Sequence, residues 1–310
     1  MKFNRSAAAI AAALVTSAVV WVSAQTPQVF QFVVSASDAT GAPVTDLRPD
    51  DVVMSESGVP QQVVKVEPLA VPMKLTIAVD NGLDSGDALA HYRSGLTGLV
   101  EALPADVEIT LIATAPQPRT VVRPTTDRAQ ILRGINGFAT EKARPRFSDA
   151  LVEYSERLQR EAKDAKASPY LPVLLMLSTA GTERGTYQPK QIQEAVAFLV
   201  TRRAKVNAII MAPRAGDVAS VAGLDQSLQS IVARPAAKAT NGRYEALSGA
   251  SRLATLLPEW GRDLAVLHAR QTKQFRVTVQ RARGGDLQNP RIELARPGLT
   301  GSVTVDGYLP

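Results

Sequence analysis

The residue best placed to bind a ligand or a cation is Asp80, which follows an apolar run at residues 74–79 and opens a polar segment at residues 80–86. In open α/β sheets, ligands bind beyond the carboxyl ends of the strands. A carboxylate at such a place can ligate a hard cation, and Asp84 and Asp87 follow closely enough to add oxygens for Ca²⁺, which tolerates irregular cages. Asp80 can equally cap the turn after the strand. The sequence leaves both roles open.

Familiar catalytic patterns are missing from the chain. The two histidines, His91 and His268, lie in separate predicted helices, and neither belongs to an HExxH motif. There is no GxSxG elbow and no phosphate-binding glycine motif. The absence of cysteine excludes thiol nucleophiles and thiolate zinc sites. We therefore predict that the protein is not an enzyme.

The elements that would position Asp80 alternate between strand and helix. Apolar strands are predicted at residues 74–79, 107–113, 173–178 and 206–211, with a weaker one at 119–123. Helices are predicted between and after them, at residues 87–102, 127–137, 148–165, 189–203 and 251–268. Residues 220–232 are a candidate helix and residues 234–242 are interpreted as a loop. This alternation predicts an α/β fold with a doubly wound, mostly parallel sheet and helices on both faces.

Short strands flank the α/β region on both sides. They are predicted at residues 28–36, 52–55 and 61–66, and again at residues 275–280, 291–295 and 301–305. Each group of three short strands is too small to be stable alone, so we expect the two groups to form one small β-sandwich with the α/β domain inserted. The predicted division is an N-terminal β region at residues 25–70, an α/β domain at 71–270 and C-terminal strands at 271–310.

Residues 1–24 have the features of a secretory signal, namely Lys2 and Arg5, an apolar stretch and a small-residue cleavage site. A retained N-terminal anchor is the alternative. No later segment is long and apolar enough to span a membrane. The net charge of +6 is scattered and aromatic residues make up only 5% of the chain, which argues against nucleic acid as a partner. We expect an exported protein that is periplasmic, extracellular or envelope-associated.

Several segments together resemble the bacterial VWFA-related family, in which a von Willebrand factor type A-like domain follows a small β region. They are PVTDLRPDDVVMSESGVPQQVV, the strand that ends at Asp80, and the closing RPGLTGSVTVDGYLP. The resemblance implies a type A/Rossmann-like fold and a role in protein–protein recognition. It also implies a metal-ion-dependent adhesion site, formed in the family by Asp-x-Ser-x-Ser, a later threonine and a second aspartate.

Most of the ligands that the resemblance implies are replaced in this chain. Asp80 matches the first aspartate, but the serine positions fall on Gly82 and Asp84, and the threonine position falls near Pro145. The family's Ser/Thr-Asp-Gly corresponds to residues 178–181, Ser-Thr-Ala-Gly, without the second carboxylate. The resemblance therefore implies a degenerate site and no cofactor. Any bound Mg²⁺ or Ca²⁺ would depend on Asp80 and Asp84.

Two arginines, Arg144 and Arg146, flank Pro145. Guanidinium groups bind carboxylates directly, so these side chains are candidates to receive an acidic partner group in place of a metal. We predict a non-enzymatic module for binding an unidentified protein partner. Its candidate binding residues are Asp80, Asp84, Arg144, Arg146, Ser178 and Thr179. The alternatives are a Mg²⁺- or Ca²⁺-dependent adhesion module and a structural envelope component without a dedicated site.

Overall fold

The structure is a computed structural model that describes residues 28–164, 168–213, 223–281 and 286–309. The predicted signal at residues 1–24 lies outside the described residues, as do the first three residues of the candidate helix at 220–232. Within the described ranges, no helix has both the length and the hydropathy needed to cross a membrane.

Strands and helices follow one another in the predicted order. The strands are β1 (Gln28–Ser37), β2 (Val52–Glu56), β3 (Val59–Leu69), β4 (Met73–Val79), β5 (Glu108–Ala113), β6 (Arg119–Thr125), β7 (Leu171–Thr179), β8 (Lys205–Met211), β9 (Tyr244–Leu247), β10 (Gln274–Arg281), β11 (Pro290–Leu294) and β12 (Thr300–Thr304). The α-helices of the described residues are α1 (Leu89–Ala102), α2 (Arg128–Asn136), α3 (Phe147–Glu161), α4 (Pro189–Thr201), α5 (Leu228–Ala239) and α6 (Leu253–Thr272).

The α/β unit is built on a six-stranded sheet in the order β6-β5-β4-β7-β8-β9. Five of its strands are parallel, and only β6 runs antiparallel to its neighbour β5. This is the doubly wound order, in which the first strand of the unit lies at the centre of the sheet. Apolar residues of β4 and β7 face both ways, against α1, α2 and α6 on one side and α3, α4 and α5 on the other. Burial on both faces explains why all nine residues of β7 are buried.

The first and last strands of the chain combine into one β unit, as predicted, and the expected sandwich takes the form of a single antiparallel sheet. Its order is β11-β2-β3-β10-β1-β12, so that β10 lies between two N-terminal strands. The outer strands β11 and β12 approach each other, and a Cβ on Gly301 would lie only 2.7 Å from Leu294 Cδ1. The sheet is thus rolled and nearly closed. Its interior is filled by the apolar side chains of Phe32, Met54 and Val277, among others.

Arg296 ties the N-terminal and C-terminal halves of this β unit together. Its guanidinium donates to Asp46 Oδ1 at 2.8 Å and to Asp51 Oδ1 at 3.1 Å. These hydrogen bonds lower the pKa of both carboxyl groups. The aspartates and the arginine of the two family-like segments therefore contact each other across 250 residues of sequence. Their role in this protein is to join strands.

One predicted loop is wrong. Residues 234–242 were expected to be irregular, but α5 runs to Ala239 and contains Pro235 in its interior. Pro235 has no N–H to donate to the carbonyl of Ile231, four residues earlier. Both residues lie on the exposed face of α5, so water can bind that carbonyl instead. The opposite face buries Val232, Ala233 and Ala236. This burial outweighs the proline, and the short edge strand β9 that follows was also missed by the sequence analysis.

Candidate functional site

Three loops meet at the carboxyl edge of the central sheet. The register pairs Val79 of β4 with Leu177 of β7 and Ala113 of β5. The chain then continues the pairing for one more residue, with Asp80 N donating to Leu177 O at 2.8 Å. As a result, Asp80 lies directly beside Ser178 and Thr179. The parallel arrangement that the sequence predicts is what brings these three residues together.

Asp80 is buried, with 1% of its surface exposed, and both of its carboxylate oxygens accept hydrogen bonds. Gly82 N donates to Oδ1 at 2.8 Å, which closes a turn after β4. The Ser178 hydroxyl and Thr179 N donate to Oδ2 at 2.9 Å and 3.2 Å. Burial raises the pKa of Asp80 above its ordinary value of 3.8, the charge of Asp84 adds to the rise, and the three hydrogen bonds oppose it. The carboxylate thus fastens the loop after β4 to the end of β7.

The loop that follows α2 packs directly on Gly82. A Cβ on Gly82 would lie 2.7 Å from Pro145 Cδ and 2.9 Å from Ala143 O. Leu83 N also donates to Ala143 O at 2.9 Å. There is accordingly no room for a serine side chain at residue 82, one of the positions where the resemblance implies a metal ligand.

Asp84 is exposed and lies against the loop that follows β7. A Cβ on Gly181 would be 2.6 Å from Asp84 Oδ2. Asp84, Asp87, His91 and Thr179 line a small cavity of about 160 Å³. Within the described part of the chain, no hydrogen bond links His91 to either carboxylate, so the cavity shows no assembled acid–base pair.

The two arginines around Pro145 differ in their surroundings. Arg144 is exposed and makes no ion pair with any residue that the structure describes. Arg146 is partly buried, and its guanidinium lies 3.5 Å from Asp149 Oδ2. Its backbone N–H donates to Thr114 O at 3.1 Å, which holds the start of α3 against the loop after β5. Of the pair, Arg144 is the freer to meet a partner.

The sequence analysis missed Glu183, which folds back onto the start of α3. Ser148 N donates to Glu183 Oε1 at 2.6 Å, and the Ser148 hydroxyl donates to the same oxygen. Two residues after Glu183, a Cβ on Gly185 would lie 2.6 Å from Ser148 Oγ. Burial raises the pKa of Glu183, and the charges of Asp149 and Asp80 raise it further. A carboxylate at the first turn of a helix is favoured by the helix dipole, and here it comes from a distant loop.

Asp149 fixes the same loop from the helix side. It is 1% exposed and accepts from Thr186 N and from the Thr186 hydroxyl, both at 2.8 Å. Together with the contact between Glu183 and Ser148, these hydrogen bonds close residues 181–187 over the start of α3. Only the position of Asp149 in the first turn of a predicted helix was a signal in the sequence.

The donor set at this edge does not fit a magnesium site. Mg²⁺ requires near-octahedral oxygen ligands at about 2.0–2.1 Å, whereas Asp80 uses both oxygens on N–H and O–H donors. One buried oxygen, Glu183 Oε2, has no hydrogen-bond partner among the described residues, while the Thr179 side chain interacts with the Tyr92 hydroxyl. Even so, the described residues contain no group of three histidine or carboxylate side chains arranged to hold a metal ion.

His268 makes hydrogen bonds that join elements of the fold. Met73 N donates to its Nδ1 at 3.2 Å, and its Nε2 lies 3.0 Å from Asp106 Oδ2. The first contact assigns the ring proton to Nε2, which then donates to Asp106 and lowers the pKa of that carboxyl. Both ring nitrogens are therefore used to join α6 to the start of β4 and the turn before β5.

Comparison with solved structures finds von Willebrand factor type A structures. A von Willebrand factor type A protein from Catenulispora acidiphila is 10% identical, with 88% of this chain and 72% of that chain covered and a TM-score of 0.49. BatB from Bacteroides thetaiotaomicron is 12% identical, with 61% and 98% covered and a TM-score of 0.44. Proximal thread matrix protein 1 from the mussel byssus, with a zinc-occupied MIDAS motif, is 14% identical, with 66% and 49% covered and a TM-score of 0.44.

The α/β unit has the doubly wound, mostly parallel sheet that the sequence resemblance implies. No family model matches the chain. No curated protein sequence matches it either. The low identities and TM-scores assign no activity and no ligand, so the function has to be argued from the residues of this chain.

Proposed function

We propose that the protein is an exported, non-enzymatic module for protein–protein recognition, which binds its partner through the loops at the carboxyl edge of the α/β sheet. The observation that carries this proposal is the hydrogen bonding of the Asp80 carboxylate. Its two oxygens are bound by Gly82, Ser178 and Thr179, and Pro145 packs against the position of a missing ligand. In this proposal Asp80 anchors the recognition loops and does not hold a metal.

The proposed contact with the partner is an ion pair. Arg144 is exposed beside the closed loops, and Arg146 lies at the start of α3. An acidic group of the partner would bind to these guanidinium groups, as a carboxylate binds to arginine in bidentate pairs. Asp84 on the neighbouring loop supplies a negative charge close by, which would set the orientation of a partner that carries both signs.

The first experiment tests whether the site works without a metal. Calorimetric titration of the purified chain, pretreated with chelator, with Mg²⁺, Mn²⁺ and Ca²⁺ should give no saturable heat that disappears in Asp80→Ala. A saturable heat that depends on Asp80 would refute the proposal in favour of a metal-dependent adhesion module.

The second experiment tests the partner surface. Affinity capture from the native cell envelope, with and without chelator, should retain the same partner. The double substitution of Arg144→Ala and Arg146→Ala should then weaken binding about fivefold or more, because an interfacial ion pair is lost. Arg262→Ala, an exposed arginine on α6, is the matched control. Loss of the partner in chelator, or equal binding by the double variant, would contradict the proposal.

A further inference from the structure

A groove of about 390 Å³ lies between the α/β unit and the rolled β sheet. Its walls come from the end of α4, the start of β8, the end of α5, the end of β12 and the segment that follows β12. Its volume is within the ~300–1,000 Å³ range of typical ligand pockets. Lys205 opens β8, whereas Asp80 follows the carboxyl end of the parallel strand β4. The groove is therefore at the opposite edge of the sheet from the recognition loops.

Lys205 brings a positive charge into this groove without an acidic partner. Its ammonium donates to Asn241 O at 3.3 Å, and it forms no ion pair with any described residue. Partial burial is the cause of its lowered pKa. Asp306 is the one acidic residue of the groove lining, and it is bound to Arg203 Nε at 2.8 Å.

Apolar side chains surround this charge and are exposed to solvent. Val200, Val303 and Val305 line the groove with 38%, 43% and 78% of their surface exposed. Exposed valines beside an uncompensated ammonium are complementary to a ligand with both an anionic and an aliphatic part. A purely inorganic anion would leave the apolar walls in water, and a neutral apolar ligand would leave Lys205 without a counter-ion.

We infer that this groove binds a carboxylate that carries an aliphatic side chain, as found in a peptide segment of a partner protein. Lys205 pairs with the carboxylate. Val303 and Val305 cover the aliphatic side chain. This site is independent of the loops around Asp80, so either can fail without the other.

The minimal probe is N-acetyl-leucine, which has a carboxylate and an isobutyl side chain and no reactive amine. Its binding is read from the rate at which N-hydroxysuccinimidyl acetate acetylates Lys205, measured by peptide mass spectrometry. The probe should slow acetylation of Lys205 saturably, with a dissociation constant roughly in the millimolar range for about a dozen heavy atoms. The rate at Lys190, an exposed lysine of α4, should stay constant.

Three further compounds separate the parts of the interaction. N-acetyl-leucine methylamide, which lacks the charge, should protect Lys205 at least fivefold less well. Acetate and inorganic phosphate, which lack the aliphatic part, should also protect it at least fivefold less well. Protection by acetate or phosphate equal to that by N-acetyl-leucine would overturn the assignment to an aliphatic acid.

Variants test the same site with a second readout. Saturation-transfer-difference NMR of N-acetyl-leucine should lose its specific signal in Lys205→Met, which keeps the apolar stem, and retain it in Lys190→Met. Val305→Ser changes a residue that is 78% exposed and should fold normally while weakening binding about threefold or more. The inference is overturned if Lys205→Met binds the probe like the parent, or if about 50 mM probe leaves acetylation of Lys205 unchanged.

Discussion

The substitution Asp80→Ala separates an anchoring carboxylate from a metal ligand. In an empty metal site, acidic ligands repel each other and are left without a counter-charge, so removing one stabilises the metal-free protein. In this protein, Asp80 accepts three hydrogen bonds that connect the loop after β4 to the end of β7. Its removal should therefore destabilise the metal-free chain.

The size of the effect follows from the donors that would lose their acceptor. Gly82 N and Thr179 N would be left buried and unpaired at about 1–3 kcal/mol each. The Ser178 hydroxyl costs less because it also lies 3.3 Å from Thr179 O. The burial that raises the pKa of Asp80 is an unfavourable term that the substitution removes. We expect a net loss of about 2–4 kcal/mol in the free energy of unfolding of the α/β unit.

Urea unfolding in excess chelator at pH 7, followed by tryptophan fluorescence, measures this loss. Trp260 is the only tryptophan after residue 24 and is buried in the α/β core, so its emission reports this unit. Asp84→Ala is the matched control, because Asp84 is exposed and accepts no hydrogen bond from any described residue. Its free energy of unfolding should change by about 0.5 kcal/mol or less.

The reasoning is refuted if Asp80→Ala unfolds at the same or a higher urea concentration than the parent in chelator. That result would mean that the carboxylate destabilises the protein when no cation is bound, as in a working cation site. A loss that appears only when Mg²⁺ or Ca²⁺ is present would lead to the same conclusion.

Three other predictions concern the same loops. Gly82→Ala should lower the free energy of unfolding by about 1–3 kcal/mol, because its Cβ would overpack against Pro145. The control Gly86→Ala should be almost neutral, because its Cβ would meet its nearest heavy atom at 3.7 Å. Equal urea midpoints for the two variants would contradict this prediction. Glu183→Ala should lower the free energy of unfolding by about 1–2 kcal/mol, because α3 loses an acceptor at its N-terminus. Glu183→Gln should restore more than half of this loss. If it restores none, Glu183 does not act through its hydrogen bonds. Because burial raises the pKa of Asp80 in the folded state, protonation of its carboxyl group favours folding. This pH-dependent part of its contribution is complete below the ordinary value of 3.8 and is lost as the pH rises through the folded pKa, which leaves the contribution of the hydrogen bonds at pH 7. The difference in unfolding free energy between parent and Asp80→Ala should thus grow as the pH falls from 7 towards 3.8, and a shrinking difference would show that the sign is wrong.

The contact of Asp80 with Ser178 and Thr179 could be predicted because it depends on strand order and register. Apolar strands that alternate with helices must be parallel and buried on both faces, and their carboxyl ends then lie at one edge. The polar residues that follow β4 and β7 are neighbours for that reason alone. The joining of strands from both ends of the chain into one β unit was also predicted, because each group of short strands is too small to be stable alone.

The closure of residues 181–187 over α3 could not be predicted in this way. Glu183 meets Ser148 and Asp149 meets Thr186 through side chains 35 and 37 residues apart in sequence. No periodicity encodes such a contact, since each residue is an ordinary polar residue of a loop or a helix start. The interior proline of α5 was misleading for a related reason, because its cost depends on which face of the helix is exposed.

The positions where the family resemblance implies metal ligands are now part of the packing between loops. Gly82 stands at one of the two serine positions, and Pro145, near the threonine position, fills the space next to it. Gly181 leaves room for Asp84, which stands at the other serine position. A serine at residue 82 would collide with Pro145, so restoring that ligand alone would disrupt the loops before it could help to bind a cation. Close packing of this kind is expected where the shape of the loops serves to bind a partner directly, and this is why we propose direct recognition of another protein as the function.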